Sequence, residues 1–203
     1  MNYIRALIRR LFAFIYLSCI KIFNFSEFKF YPIQVVSTST KFVIYNKGKI
    51  ILGKEVGTRR NVEFRTSNGG QIIIGNKSFF NNGCLINSME RIIIGDNTQL
   101  GPNVMVYDHD HDFRADGGIR SRKYKKSPIK IGSNVWIGAN CIILRGTVIG
   151  DNCVVAAGSV LTGKYPENTV IMQKRQTTLC EINVEADVNG SSDIIGENIT
   201  NNR

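Results

Sequence analysis

The sequence of 203 residues predicts an all-β solenoid, a chain wound into stacked triangular coils, with an amphipathic helix before it and a loop protruding from it. Three observations predict this fold. Aliphatic residues recur every six positions over much of the chain, an apolar segment with helical spacing precedes them, and one long insertion interrupts them. A hydrophobic fraction of 43% with 21% charged residues is sufficient for a buried core.

The N-terminal segment, residues 1–30, has apolar residues at spacings of three and four, which is typical of an amphipathic helix. Its most apolar part, residues 11–20, follows Arg9 and Arg10 in the manner of a signal peptide, but no small-residue cleavage site comes after it. The run is also too short to span a bilayer. Two arrangements stay open: the helix packs on the protein, or it lies on an anionic membrane surface.

The six-residue period is unbroken from Ile131 to Leu161, and it recurs from Ile74 and from Ile94. A small residue lies two positions before each aliphatic one, so both face the same side of a short strand. Glycine or asparagine often follows the aliphatic residue, where the chain can turn with positive φ. Three such strands close a triangular coil of about 18 residues, and we predict stacked coils over residues 40–172.

The five cysteines form no CxxC pair, and their odd number argues against a disulfide framework or a zinc ribbon. Three of them, Cys84, Cys141 and Cys153, fall on the small position of the repeat. We predict that these three fill the core and have no chemical role.

The insertion covers residues 107–128 and contains His109 and His111, the only two histidines of the chain, in the sequence VYDHDHDF. Long loops on rigid scaffolds are commonly functional, and an imidazole beside carboxylates suits a general base. A basic cluster from Arg114 to Lys130 follows the histidines. It is either a solvated surface or a site for a polyanion such as a phosphate-rich cofactor.

The IG-x-N-x-x repeats, together with the histidine loop before PIKIGSNVWIGAN, make residues 70–165 resemble the hexapeptide-repeat acyltransferases. The match is closest to the branch of galactoside, maltose and nodulation-factor O-acetyltransferases and to the polysaccharide-biosynthesis type. The resemblance implies a left-handed parallel β-helix that assembles as a homotrimer. It implies acetyl-CoA as the acyl donor, bound in a groove between adjacent subunits, with no metal.

The resemblance also implies roles for individual residues. His111 is the expected general base, because it follows Pro102 by nine residues and Tyr107 by four, as in the resembling enzymes. His109 is expected to orient the base or to contact the acceptor. Asn82 is expected near the acceptor, with a turn position in a coil as its alternative. The expected acetyl-CoA-binding residues are Trp136, Ala139, Ala157, Thr162 and Lys164.

The implied reaction is direct transfer, in which the histidine takes a proton from a sugar hydroxyl and the oxygen attacks the thioester of acetyl-CoA. A backbone N–H near Ala139 would meet the developing negative charge. The chain departs from the family in the segment MQKRQTTLCEI, where a glycine-x-proline motif and basic residues usually reach the CoA nucleotide. Lys174 or Arg175 are candidate replacements. Residues 173–203 are predicted to be a C-terminal tail, partly disordered.

The predicted function is acetyl-CoA-dependent O-acetylation of a sugar or lipid-linked glycan in surface polysaccharide biosynthesis (capsule, O-antigen or exopolysaccharide). The expected location is the cytoplasm or the inner face of its membrane, with no nucleic-acid partner. The first competing function is N-acetylation of an amino-sugar nucleotide, although residues 1–50 show no GxGxxG motif and are too short for the usual nucleotide-binding unit. Two further classes stay open: a non-catalytic solenoid scaffold, and a γ-carbonic-anhydrase-like zinc enzyme, which takes three histidine ligands where this chain has two.

Overall fold

The computed structural model describes residues 2–174 and 176–179, and in them one N-terminal helix precedes a stack of short parallel strands. The chain divides into two compact units, residues 1–172 and 173–203. The helix and the described strands belong to the first unit. The predicted tail at 173–203 lies mostly outside the described residues, and Arg175 lies outside them as well.

The strands form three parallel sheets, named faces A, B and C here, and each coil of the chain passes through them in that order. Face A consists of β1 (Phe28–Lys29), β3 (Lys49–Leu52), β6 (Gln71–Ile74), β9 (Arg91–Ile94), β14 (Ile129–Ile131), β17 (Val148–Ile149) and β20 (Lys164–Tyr165). Face B consists of β4 (Gly57–Thr58), β7 (Phe79–Phe80), β10 (Gln99–Leu100), β15 (Trp136–Ile137), β18 (Val154–Val155) and β21 (Val170–Ile171). Face C consists of β2 (Lys41–Ile44), β5 (Glu63–Thr66), β8 (Leu85–Ser88), β11 (Met105–Tyr107), β16 (Ile142–Ile143) and β19 (Val160–Leu161). This is the predicted left-handed parallel β-helix.

The aliphatic residue of each hexad faces inward, as predicted. Ile131, Ile137, Ile143, Ile149 and Val155 are each at most 1% exposed. They stack from coil to coil because equivalent residues of neighbouring strands are paired in register. The six-residue period therefore corresponds to one face of the triangle.

Asparagine holds the corners between faces. Four corner asparagines have a left-handed backbone conformation, which asparagine tolerates better than most residues. Their φ angles are 57° at Asn134 and Asn140, 56° at Asn152 and 58° at Asn168. Their side-chain amides also bond one another along the stack. Asn134 Nδ2 donates to Asn152 Oδ1 at 3.1 Å, and Asn152 Nδ2 donates to Asn168 Oδ1 at 3.1 Å.

The cysteines of the repeat are packed in the core, which confirms that they fill it. Cys84, Cys141 and Cys153 have no exposed surface. The Cys84 thiol donates to the Gly101 carbonyl at 3.2 Å, and burial raises the pKa of this thiol to about 11. A thiol held in its protonated form is a poor nucleophile, so its contribution is to packing.

Helix α1 (Asn2–Phe23) covers the first coil of the solenoid. Ala13 and Leu17 are fully buried in the core, and the Tyr16 hydroxyl donates to the Thr40 carbonyl. Packing on the protein, one of the two arrangements left open by the sequence, therefore describes one side of this helix. Within the described part of the chain, no helix combines the length and the apolar character that a bilayer crossing requires.

Candidate active site

The predicted loop is a β-hairpin that leaves the solenoid at the corner between faces C and A. Its strands are β12 (His109–His111) and β13 (Tyr124–Lys126), paired antiparallel, and a 3₁₀ turn, Gly118–Ser121, lies between them. The base of the hairpin is tied to the solenoid. The Ser127 N–H donates to the Asp108 carbonyl at 2.9 Å, and the Arg145 guanidinium bonds the Asp110 carboxylate.

Asp108, at the root of the hairpin, is a fully buried carboxylate that accepts four hydrogen bonds. The donors from the preceding coil are the Ser88 hydroxyl at 2.6 Å and the N–H groups of Met89 and Glu90 at 2.8 and 2.9 Å. The fourth partner is His109, whose Nδ1 lies 2.9 Å from Asp108 Oδ1. A buried carboxylate with this many donors is well satisfied as an anion.

The ionisation of Asp108 determines the tautomer of His109. Burial raises the pKa of Asp108, but the hydrogen bonds from His109, Met89, Ser88 and Glu90 outweigh it, and the net shift is downward. An ionised carboxylate only accepts hydrogen bonds, so Nδ1 of His109 carries a proton and Nε2 of the neutral ring has the lone pair. This is the arrangement by which an aspartate fixes a histidine for proton transfer.

His111 differs from His109 in its surroundings. The His109 side chain is only 10% exposed, whereas His111 belongs to the exposed residues. The His111 ring lies over Tyr124 with centroids 4.6 Å apart and an interplanar angle of 40°. Among the described residues, none forms a hydrogen bond or an ion pair with the His111 side chain. The hairpin thus presents one fixed imidazole and one accessible imidazole.

Asn82 lies at a corner between faces B and C. Its Oδ1 accepts a hydrogen bond from the Arg60 N–H at 3.1 Å, and its carbonyl accepts one from the Asn103 N–H at 2.9 Å. Asn82 therefore occupies a turn position in a coil, which was the alternative to a place near the acceptor. A contact with an acceptor molecule remains a prediction.

Ala139 and Ala157 occupy the same corner in two successive coils; Ala139 is partly buried and Ala157 is exposed. At the corresponding corner between faces A and B, side chains accept from the backbone: Asp96 N–H donates to Ser133 Oγ and Ser133 N–H to Asp151 Oδ1. Among the backbone hydrogen bonds of the described residues, neither Ala139 nor Ala157 donates its N–H. Such a donor fits a developing oxyanion.

The remaining predicted groove residues lie on the outside of the solenoid. Trp136 is on face B with 59% of its surface exposed. Thr162 is an exposed corner residue between faces C and A, and Lys164 is an exposed residue of β20 on face A. A planar indole and a cation are suitable contacts for a pantetheine chain and a phosphate, respectively.

Within one chain, the structure does not bring all predicted site residues together. The histidines, Thr162 and Lys164 lie at the corner of faces C and A, or next to it. A second group lies at the corner of faces B and C: Asn82, Ala139 and Ala157. Trp136 lies next to this corner, on face B. The width of face C separates the two groups, so a single chain carries the predicted residues in two groups at opposite ends of one face.

No metal cluster accompanies this arrangement in the part of the chain that the structure describes: no group of three or more His, Cys, Asp or Glu side chains is placed to hold an ion.

Known proteins of similar sequence include O-acetyltransferases. A family model described as the hexapeptide repeat of succinyl-transferase matches residues 128–163. An Escherichia coli K12 protein, provisionally assigned as a lipopolysaccharide biosynthesis O-acetyl transferase, is 33% identical over 63% of this chain and 69% of its own length. Nodulation protein L of Rhizobium meliloti is 38% identical over 54% of this chain and 59% of that protein. Galactoside O-acetyltransferase of Escherichia coli K12 is 36% identical over 58% of this chain.

Solved structures agree on the fold. An N-acyltransferase from Bacillus cereus superimposes with a TM-score of 0.58 at 20% identity, covering 78% of this chain and 85% of that one. A hexapeptide-repeat acetyltransferase from Vibrio cholerae gives a TM-score of 0.50 at 24% identity, covering 71% and 66% of the two chains. The hexapeptide repeat and the O-acetyltransferase relatives identify the class of the protein as an acyltransferase. The chain belongs to the hexapeptide-repeat acyltransferase family, although it spans only 59% of the nodulation protein and 57% of the galactoside enzyme.

Asp108 is the site residue that the sequence alone does not single out. It stands directly before His109, which is the one signal that could have indicated it. Its remaining partners, Ser88, Met89 and Glu90, come from the coil before and are about 20 residues away in sequence. The contact therefore depends on the stacking of coils.

Proposed function

We propose that the protein is an acetyl-CoA-dependent O-acetyltransferase that acts on a sugar hydroxyl. The observation that carries the proposal is the pairing of a histidine hairpin at one corner of face C with open backbone N–H donors at the other. Relatives named as O-acetyltransferases support the reaction type. The Bacillus cereus enzyme, which shares the fold, was solved with coenzyme A and an amino-sugar nucleotide.

Assembly as a homotrimer unites the two halves of the site. If three subunits direct face C toward a common threefold axis, the C–A corner of each subunit meets the B–C corner of the next. Each interface then contains the hairpin of one subunit and the Ala139 and Ala157 N–H groups of its neighbour. A closed ring of this kind uses two different patches per subunit and leaves no patch unmatched.

The outer surface of face C suits burial in such a trimer. An apolar column of laterally paired residues runs up the face: Leu85, Met105, Ile142 and Val160. All four point away from the core and are partly exposed in the single chain. Covering them would stabilise the trimer by about 25 cal/mol for each Å² of apolar surface removed from water.

The trimer also forms the donor groove. Face A of one subunit and face B of the next diverge from each shared corner, so Lys164 and Thr162 line one wall while Trp136 lines the other. The open N–H groups of Ala139 and Ala157 lie at the bottom of this groove, where the thioester carbonyl would accept from them. A panel of exposed cations on the hairpin faces the same corner and suits the phosphates of the donor: Arg114, Arg120, Arg122 and Lys123.

His111 is our proposed general base, because its ring is accessible and is carried toward the neighbouring subunit. It takes the proton of the acceptor hydroxyl as the oxygen bonds to the acetyl carbonyl carbon. The N–H of Ala139 stabilises the tetrahedral oxyanion. Collapse breaks the C–S bond, and the CoA thiolate recovers the proton from the imidazolium, which gives an acetyl ester and free CoA. His109, oriented by Asp108, and Asn82 position the acceptor.

His109 is the second candidate for the base, and the Asp108 contact favours it. Its Nε2 has the lone pair, and its ring orientation is fixed. The two candidates make different predictions for Asp108→Asn. If His109 is the base, this change removes the group that stabilises its imidazolium; if His111 is the base, the change acts only on positioning.

The test measures CoA thiol release from acetyl-CoA with a panel of glycosides, oligosaccharides and amino sugars. We expect His111→Ala to lower kcat by about 10²–10⁴-fold, with His109→Ala and Asp108→Asn costing less and acting partly on KM. A nearly inactive His109→Ala enzyme beside an active His111→Ala enzyme would assign the base to His109. Transfer to amines but not to hydroxyls would identify an N-acetyltransferase, and no thiol release with any acceptor would contradict the proposal.

The cellular setting that we propose is surface polysaccharide biosynthesis in the cytoplasm, at the inner face of the membrane. The lipopolysaccharide relative supports the pathway class. The acceptor would be a sugar or a lipid-linked glycan, and acetyl-CoA is available on that side of the membrane.

A further inference from the structure

Helix α1 has two apolar sides, and only one of them packs on the protein. The packed side consists of Ala13 and Leu17, which are fully buried, with Tyr16 and Ile20 half-buried beside them. These four residues fall on one stripe of a helix with 3.6 residues per turn. These four residues cover the open end of the solenoid, and the opposite side of the helix does not contribute to this packing.

The opposite side is apolar as well. At about 100° per residue, Ile4, Leu11, Ile15 and Ile22 project within roughly 20° of the direction opposite Ala13. They are 67%, 57%, 51% and 73% exposed. Further apolar side chains widen the patch on both flanks: Leu7, Ile8 and Phe12. An apolar surface of this extent on a soluble fold indicates an interaction site.

The charges around this face select its partner. Helix α1 contains no aspartate or glutamate, and among its residues whose burial the structure describes, Arg9 and Arg10 are exposed arginines. Both arginines, with Lys21, project from the half of the helix that faces the solenoid, behind the outer apolar face. When the outer face enters a bilayer by about 5–10 Å, side chains in this position reach the lipid phosphates.

We infer that the outer face of α1 docks on an anionic lipid bilayer. The face is named here the docking face: Ile4, Leu7, Leu11, Ile15 and Ile22. Apolar burial and attraction of Arg9 and Arg10 to anionic headgroups act together. In the proposed trimer all three helices lie at the same end of the stack, which multiplies a weak anchor by effective concentration.

Docking through α1 determines the height of the candidate active site above the lipid surface. A column of aromatic rings, Phe28, Phe42, Phe64 and Phe80, rises from α1 along the solenoid, with successive centroids 5.0–5.3 Å apart. The solenoid axis is therefore directed away from the membrane. Strand β11, before the hairpin, lies three strand spacings from β2, or about 14 Å. With α1 about 10 Å thick, the histidines stand on the order of 15–25 Å above the lipid surface.

This height defines the acceptor class, an inference that rests on the proposed function. A free sugar nucleotide gains nothing from an enzyme held at this distance from lipid. A glycan on a lipid anchor is confined to the same layer, and a sugar unit separated from the headgroup by intervening units reaches the hairpin. The acceptor is therefore a lipid-linked oligosaccharide acetylated away from its lipid end.

The experiment compares two double variants of the full-length protein by flotation with vesicles. Leu11→Glu/Ile15→Glu alters the docking face. The matched control is Val170→Glu/Met172→Glu, which places the same charges on side chains 61% and 72% exposed at the far end of the solenoid. Vesicles contain either phosphatidylcholine alone or phosphatidylcholine with about 30–40% phosphatidylglycerol, which is enough for a surface potential of tens of millivolts. Both kinds of vesicle are used at low and at high salt.

We expect the wild type and the far-end variant to float with the anionic vesicles at low salt, less at high salt. The docking-face variant should bind at least about tenfold less, because two buried aliphatic side chains are lost from the interface. Equal thermal unfolding and equal thiol release with a soluble acceptor show that the variant is intact. The inference is overturned if the wild type does not float or if the docking-face variant floats equally. It is also overturned if this variant instead dissolves an assembly larger than a trimer, which would identify a second copy as the partner. Loss of thiol release with normal flotation would count against the proposed reaction and not against docking.

Discussion

A single buried carboxylate organises the candidate site at the scale of residues. Asp108 accepts from the Ser88 hydroxyl, two backbone N–H groups and His109, so it joins the hairpin to the preceding coil. Through the contact with Nδ1, the Asp108 carboxylate orients the His109 ring. The imidazoles could be identified from the sequence, and the neighbouring aspartates were expected to hold one of them in a single tautomer. Which of the three aspartates does so could not be predicted, because the other partners of Asp108 meet only when coils stack.

Replacement of Asp108 by asparagine should destabilise the fold by about 1–3 kcal/mol at neutral pH, because an amide cannot accept all four hydrogen bonds. The pKa of Asp108 is lowered in the folded protein, so its stabilisation is present above the unfolded-state pKa of about 3.9 and is lost as pH falls below it. The difference in unfolding free energy between wild type and variant should therefore shrink below about pH 4.

The measurement is urea unfolding at a series of pH values. Asp110→Asn is the matched control, since Asp110 is an exposed carboxylate of the same hairpin, 49% accessible and paired with Arg145. It should change stability by less than about 1 kcal/mol at any pH. A constant difference between wild type and Asp108→Asn down to pH 3 would mean that the carboxylate is not the stabilising group.

At the scale of elements, most corners between strands only turn the chain, whereas the corner at Ala139 is also proposed to take part in the reaction. The hexad pattern predicted the strands and the inward residues from Ile131 to Leu161, because each residue class there follows from local backbone geometry. The six-residue period is less regular in the earlier coils. Corners such as Asn68–Gly69 add residues to the repeat there, and Leu52 therefore pairs with Ile74 at more than 18 residues' distance along the chain. That the Ala139 N–H lacks an acceptor could not be predicted, because it depends on which side chain the next coil supplies.

Gly101 tests the role of the B–C corner. A Cβ at Gly101 would lie 2.7 Å from the Ala139 nitrogen, so Gly101→Ala should displace the proposed oxyanion donor. Gly95 is the matched control at the A–B corner, where a Cβ would lie 2.6 Å from the Ser133 nitrogen. Both alanine variants should lose similar stability, measured by thermal unfolding. Only Gly101→Ala should lower kcat further, by about 10–10³-fold. Equal kcat in the two variants would exclude Ala139 as the donor.

At the scale of the whole molecule, the proposed trimer explains why the predicted site residues lie at two corners of the solenoid. A triangular solenoid has three faces, and a ring of three subunits with one face inward brings opposite ends of that face together at each contact. Face C is the face whose ends bear the histidines and the open N–H groups, and its outer column is apolar. Separate features of the chain therefore favour the same assembly, and none of them follows from the hexad pattern alone.

A charge placed on the apolar column of face C should prevent assembly of the proposed trimer and leave a monomer. Met105 is paired with Leu85 and Ile142 on the outer side of β11, so Met105→Glu would bury three carboxylates near the threefold axis. Light scattering should give the monomer mass of 22.7 kDa for this variant, with a far-UV spectrum unchanged. Ile93→Glu, on the outer side of face A in the same coil, is the matched control and should stay trimeric. Because each site of the proposed trimer takes the hairpin from one subunit and the N–H donors from another, the monomer should also lose thiol release. A trimeric Met105→Glu protein would show that face C is not the inward face, and an active monomer would show that one chain holds a complete site.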